Sequence, residues 1–152
     1  MFNKLQNVGK NYMIRKFQDK DINNIMEIWK NENIKAHNFI KSVYWINNYN
    51  YVKKLLPKTE IYIYEEQEKI IGFIGLDNNY IEGIFIDSSK QHKGIGTALL
   101  NKVKENRNNL TLNVYEKNVG AIDFYLKNGF TVTNRGIDKE TGELEYTMAW
   151  NK

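Results

Sequence analysis

The stretch Tyr80-Ile-Glu-Gly-Ile-Phe-Ile-Asp87, then Ser88-Ser-Lys90, then Gln91-His92-Lys93-Gly94-Ile95-Gly96-Thr97-Ala98-Leu99-Leu100 decides the fold. An apolar β-type run ends at Asp87, and a short basic loop with two glycines follows it. Ala98, Leu99, Leu100 and Val103 then fall at helical spacing. Strand, glycine loop and helix together aim free backbone N–H groups and a helix dipole at an anion. Glycines at 94 and 96 suit that purpose, because a side chain there would hold a phosphate away from the amides. An ordinary tight turn with a glycine-rich helix start is the competing reading.

Two familiar phosphate loops are excluded by spacing. No Gly-x-x-x-x-Gly-Lys-Ser/Thr string occurs. The dinucleotide fingerprint needs a third glycine three residues after the second, where this chain has Leu99. The acid that would bind a ribose about twenty residues on is missing as well, since the next strand reads Leu110-Thr-Leu-Asn-Val114.

A second motif follows in Asn113-Val114, Asn118, Ala121, Phe124-Tyr125, Lys127 and Gly129-Phe130. Gln-x-x-Gly-x-Gly with a small residue and two leucines resembles the acetyl-CoA pyrophosphate loop of the GNAT superfamily of N-acetyltransferases. The second motif is similar to that superfamily's other half, where a strand leads into a helix ending in Phe-Tyr-x-Lys-x-Gly-Phe. Both occur in the family's order, and the resemblance covers about residues 13–150.

Working outward, Glu60–Glu65, Lys69–Leu76 and Tyr80–Asp87 read as three strands with no helix between them. From Gly94 on, the pattern is helix, strand (Leu110–Tyr115), helix (about Asn118–Asn128), strand (Phe130–Arg135) and, after a turn at Lys139–Gly142, a last strand from Leu144 to Trp150. Before the strands, Met13–Phe17 reads as a first strand. A helix follows it, with Ile22, Ile25, Met26 and Trp29 on one face. A polar break at Asn31–Lys35 separates it from a second helix, about Ser42 to Leu56, which Pro57 stops. Its apolar stripe is Trp45, Ile46, Tyr49, Val52 and Leu56. The expected fold class is α+β (mixed α/β), a GNAT-like acyl-CoA N-acyltransferase fold. A central mixed sheet of about six to seven strands is flanked by about four helices, and the connection from Ile86 to Leu110 is parallel and right-handed.

Composition sets the frame for this. The 152 residues, 41% of them hydrophobic, suit one domain with a real core, expected over 13–152 behind a flexible N-terminal extension at 1–12. The absence of cysteine rules out disulfides, thiolate metal sites and a cysteine nucleophile, and no metal is expected. No signal peptide or membrane-length apolar run is read, so a cytoplasmic protein is expected. The net charge of +4 suits a ligand with several phosphates. Lysines and arginines are interspersed with acids rather than gathered, which disfavours nucleic acid. A membrane partner is not expected, and a monomer or homodimer is.

The resemblance implies a cosubstrate, acetyl-CoA, held between the Tyr80–Asp87 and Leu110–Tyr115 strands, and direct transfer of its acetyl group to a primary amine of a protein or small molecule. It implies that Phe85 and Ile86 pair with the pantetheine amides. It also implies that the diphosphate rests on the backbone of Gln91, His92, Lys93, Gly94, Ile95, Gly96 and Thr97. Lys90 and Lys93 then add charge, or serve loop solubility alone. In the family the tyrosine matching Tyr125 protonates the departing thiolate, and a phenol with an ordinary pKa near 10 is protonated at neutral pH. The other reading of Tyr125 is a core residue. Asn118 caps the helix, binds pantetheine, or does both.

Glu82 sits where several family members draw a carboxylate that acts through water. Simple alternation along the strand puts Glu82, Ile84 and Ile86 on one face and Ile81, Gly83 and Phe85 on the other. Glu82 then acts as base, attracts a cationic amine, or is structural. His37, in the break between the first two helices, borders the family's acceptor site, and Trp45, Tyr49 and Tyr80 could line it. A non-catalytic acyl-CoA-binding module of the same fold is the alternative function. Asp87, Ser88 and His92 cluster in sequence, but residues so close together at a strand end point in different directions, which disfavours a catalytic triad.

Overall fold

In the computed structural model the described residues are 3–7 and 10–152, with side chains from residue 11 onward. Among them one sheet contains β1 (Asn3–Asn7), β2 (Lys10–Lys16), β3 (Glu60–Glu66), β4 (Lys69–Asp77), β5 (Tyr80–Ile86), β6 (Asn109–Tyr115), β7 (Thr131–Ile137) and β8 (Leu144–Asn151). Their order across the sheet is β1-β2-β3-β4-β5-β6-β8-β7. Only β5 and β6 are parallel neighbours, as a helical crossover between them requires. Strands β2–β8 are the expected ones, and β1 adds an eighth by pairing antiparallel with β2. The stretch 1–12 therefore includes β1 and the start of β2, while residues 1, 2, 8 and 9 lie outside the described residues.

Four helices cover the two faces: α1 (Ile22–Ala36) and α2 (Ser42–Leu55) on one, α3 (Ile95–Lys104) and α4 (Val119–Lys127) on the other. Leu99, Leu100 and Val103 of α3 pack with Ile74, Leu76, Ile81, Leu110 and Leu112 of the sheet. On the opposite face Ile25, Met26, Trp29 and Trp45 pack with Ile61, Ile63 and Phe73. Alternation along the strands supplies both cores, because successive side chains point to opposite faces.

Three expectations are corrected. The polar run Asn31–Lys35 is not a break: α1 continues through it to Ala36, and the chain turns at His37–Lys41 instead. Glu32 and Asn33 are buried there, and Asn33 Nδ2 donates to the Trp29 carbonyl one turn back at 2.9 Å. On α2, Trp45 is buried and Leu56 just beyond its end is buried too, but Ile46 is 54% exposed, so the stripe is narrower than its spacing implied.

The third correction concerns β5. Leu76 pairs with Ile81 and Gly75 with Gly83, which leaves Glu82 without a partner in a β-bulge. The bulge turns Ile81 to the same face as Ile84 and Ile86, against the α3–α4 core, while Phe85 packs on Phe73 on the other face. Pairing between β5 and β6 stops at Ile81 and Leu112. Beyond that point the sheet opens, and the functional site forms in the opening.

Candidate active site

The split is lined from both faces, giving a cleft of about 790 Å³. Its sheet edge is set by register. Asp87 N–H donates to the Ile71 carbonyl at 2.8 Å, which makes 71 and 87 a hydrogen-bonded pair. Alternation then turns the backbone groups of Phe85 toward Phe73 on β4 and those of Ile84 and Ile86 away from β4, toward the opening. Phe85 does line the cleft, but its backbone groups, expected to pair with the cosubstrate, face β4 inside the sheet. Ile84, not singled out from sequence, takes that place beside Ile86.

At the end of β5 the chain makes a short 3₁₀ turn at Ser88–Lys90, capped by Asp87, whose Oδ1 accepts from Ser89 N–H and Oγ–H at 3.0 and 2.7 Å. Gly94 has φ of +81° and stands at the N-cap of α3, a conformation glycine adopts without strain. The first intrahelical bond is Ala98 N–H to Gly94 O at 3.0 Å. The N–H groups of Ile95, Gly96 and Thr97 precede it and belong to the unpaired first turn, where the helix dipole is positive. Gly96 serves packing: a Cβ there would lie 3.1 Å from the Phe124 ring of α4. Gln91, His92, Gly94, Ile95, Gly96 and Thr97 all line the cleft, with Lys90, whereas Lys93 is not among the lining residues.

The far wall is α4. Asn118 caps it by accepting from Ala121 N–H through Oδ1 at 3.3 Å, and its Nδ2 lies 3.1 Å from His37 Nε2 at the end of α1. Tyr125 lines the cleft and is 7% exposed. Burial, with Tyr80 adding a smaller effect, holds its phenol well above the usual tyrosine range, so it is protonated at any physiological pH. His37 also lines the cleft, stacked on Trp45 at 5.2 Å and met edge-on by Phe39 and Tyr115. Burial in that aromatic box pushes its pKa down to about 4.

Glu82 is not brought into the cleft lining. It stands on the bulge where β5 and β6 part, exposed on the surface, with partial desolvation and the nearby Asp77 charge nudging its carboxyl above the ordinary range. Trp45 is buried behind His37, and neither Tyr49 nor Tyr80 lines the opening. Beyond Tyr115 the β7–β8 turn closes in: Tyr115 donates to Asp138 and Tyr44 of α2 donates to Glu140, each at 2.6 Å. Sequence reasoning missed Glu32, which lines the cleft from α1. The readable signal was its spacing, three residues after buried Trp29, which continues the apolar stripe with a carboxylate.

The β5 edge, the unpaired first-turn amides of α3 and the protonated phenol of Tyr125 thus line one cleft. The sequence model of a family described as an acetyltransferase (GNAT) domain matches residues 15–150. The chain is 31% identical over 140 residues to a peptidyl-lysine N-acetyltransferase, YiaC, of Escherichia coli, covering 91% of this chain and 96% of that protein. The solution structure of apo YjaB from Escherichia coli superposes with a TM-score of 0.81 at 25% identity, covering 91% of this chain and 97% of that one. A Bacillus anthracis acetyltransferase solved with acetyl coenzyme A superposes with a TM-score of 0.57 at 29% identity, over 62% of each chain.

Proposed function

Because this chain belongs to the GNAT acetyltransferase family and is an N-acetyltransferase that draws on acetyl-CoA, we propose that it acetylates the ε-amine of a protein lysine, in the cytoplasm and as a single domain whose sheet takes in β1 and β2 as well as the expected 13–152. The observation that carries the catalytic part is Tyr125, a buried and protonated phenol in the same cleft as Ile84 and Ile86 of the β5 edge, where Gln91 already bonds the Ile86 carbonyl. A module that only binds acyl-CoA has no need of it.

In this reading the pantetheine arm adds to the open edge of β5 through Ile84 and Ile86, as a strand would. The diphosphate rests on the N–H groups from Gln91 to Thr97, and Asn118 serves both as cap and as pantetheine contact. The neutral amine attacks the thioester carbonyl and the carbon–sulfur bond breaks. The sulfur leaves with the Tyr125 proton, the amine's surplus proton passes through water to the Glu82 carboxylate, and solvent then returns a proton to Tyr125 and takes one from Glu82. No covalent enzyme intermediate is needed. A lysine acceptor is supported by the peptidyl-lysine N-acetyltransferase relative and by Asp138 and Glu140 of the β7–β8 turn, whose carboxylates accept from Tyr115 and Tyr44 near His37.

The test is thiol release from acetyl-CoA with an N-terminally blocked peptide carrying one lysine. Acetylation of that lysine, with no release when norleucine replaces it, is the expected result. Release with spermidine alone would move the acceptor to small polyamines. No release with any amine, alongside measurable coenzyme binding, would favour the binding module.

A further inference from the structure

Glu32 is the one carboxylate that α1 buries in the cleft wall, 8% exposed, and the steps proposed above do not use it. A carboxylate so placed is costly unless its oxygens are bonded. Every partner it has, Lys35 apart, lies in the turn that follows β5. Ser88 Oγ–H donates to Oε1 at 2.6 Å, Ser88 N–H to Oε2 at 3.3 Å, and Gln91 Nε2 to Oε1 at 3.3 Å. Lys35 Nζ lies 3.7 Å from Oε2 and donates to Ser88 Oγ at 3.1 Å. The Gln91 amide bonds a second group, the carbonyl of Ile86, at 3.0 Å. One side chain of α1 thus ties together the end of the free sheet edge and the start of the glycine loop, more than fifty residues away in sequence.

A carboxylate near a diphosphate site is electrostatically unfavourable on its own account. Here its lone pairs are taken up by donors that already point at it, and Lys35 balances the charge. What remains is a geometric effect: the turn's own bonds, from Ser89 to Asp87 and from Lys90 N–H to the Asp87 carbonyl, hold its shape, while Glu32 ties Ser88 N–H and the Gln91 side chain to α1 and so fixes where that turn sits. We propose that Glu32 is a positioning residue that fixes the Ser88–Gln91 turn and the Gln91 amide so that the loop's N–H groups stay aimed at the diphosphate of the donor. This rests on the coenzyme reading given above.

The test compares two probes, CoA and pantetheine, by NMR titration of the wild-type protein and of Glu32→Ala, Glu32→Gln and Ser88→Ala. Pantetheine lacks the diphosphate and reports only on the β5 edge. In Glu32→Ala the dissociation constant for CoA should rise about tenfold or more, the scale of a charge-assisted hydrogen bond, with pantetheine affinity unchanged. Glu32→Gln, whose amide oxygen still accepts from Ser88, should recover part of the loss, and Ser88→Ala should show a smaller loss of the same kind. Equal loss for both probes means a general defect of the cleft and overturns the proposal, as does unchanged CoA affinity. If Glu32→Ala does not fold, Glu32→Gln and Ser88→Ala decide by the same ratio. Wild-type protein that binds CoA no better than pantetheine would instead overturn the coenzyme reading itself.

Discussion

Asn118 Nδ2 lies 3.1 Å from His37 Nε2, joining the N-cap of α4 to the residue that caps the C-terminus of α1. The Asn118 oxygen is already used on Ala121 N–H, so the amide nitrogen faces the imidazole and donates to it. His37 therefore accepts at Nε2 and carries its proton on Nδ1, as a neutral ring. Protonation would put a second donor against the Asn118 amide inside an aromatic box.

That arrangement predicts a pH dependence of stability. The folded pKa of His37 is lowered to about 4 from the ordinary 6.5 by burial. Below 6.5 the unfolded chain takes up the proton more readily than the folded one, so stability falls as pH drops and levels off below about 4. The total loss is about 3 kcal/mol on the usual conversion of pKa difference to free energy. Urea melts of wild type and His37→Gln between pH 7 and pH 4 check it. The difference between the two proteins should shrink or reverse toward pH 4, and parallel curves would remove His37 as the titrating group.

Gly96→Val should weaken coenzyme binding by at least about 1.4 kcal/mol, a factor of ten. The reason is packing rather than backbone freedom, because a Cβ at 96 would press on Phe124 at 3.1 Å and push α4 from α3. Gly94→Val should have a similar effect for a different reason. There is open space at its Cβ position, but φ is +81° and valine strains there. Calorimetry with CoA on the folded variants decides, and unchanged affinity in both would detach the loop from coenzyme binding.

Tyr125→Phe keeps the ring that packs on Phe124 and Phe130 and deletes the hydroxyl. Turnover should fall by roughly 10²-fold, the scale of general acid catalysis, with CoA affinity little changed. A rate within a factor of two of wild type, in conditions where chemistry limits, would return Tyr125 to a packing role.

Glu82→Gln removes the charge on the bulge and keeps the size. A base role predicts a lower rate at neutral pH that recovers partly as pH rises, since bulk water then deprotonates the amine. A rise in KM with kcat intact would instead mean that Glu82 only attracts the cation. A pH–rate profile superimposable on wild type would leave proton removal to water and backbone.

The strand, glycine loop and first turn of α3 were legible in the sequence because each depends on residues within a few positions of one another. Gly94 takes the left-handed conformation at the helix start, and Ala98, Leu99, Leu100 and Val103 set the buried face whatever the rest of the chain does. Asn118 as a cap is of the same kind, an oxygen three residues before the amide it accepts. The bulge at Glu82 could not be read this way. Which residue is left unpaired is fixed by the register of β4, so simple alternation assigned Ile81 to the wrong face. The continuation of α1 through Asn31–Lys35 was likewise a tertiary matter, since Glu32 is satisfied by Ser88 and Gln91, far along the chain. The sequence by itself determined the local shapes: the strand, the glycine turn with its helix start, and the Asn118 cap. Only the tertiary structure decided which side chains meet across the split between β5 and β6, because those contacts depend on strand register and helix docking over long separations, and local propensity carries no record of either.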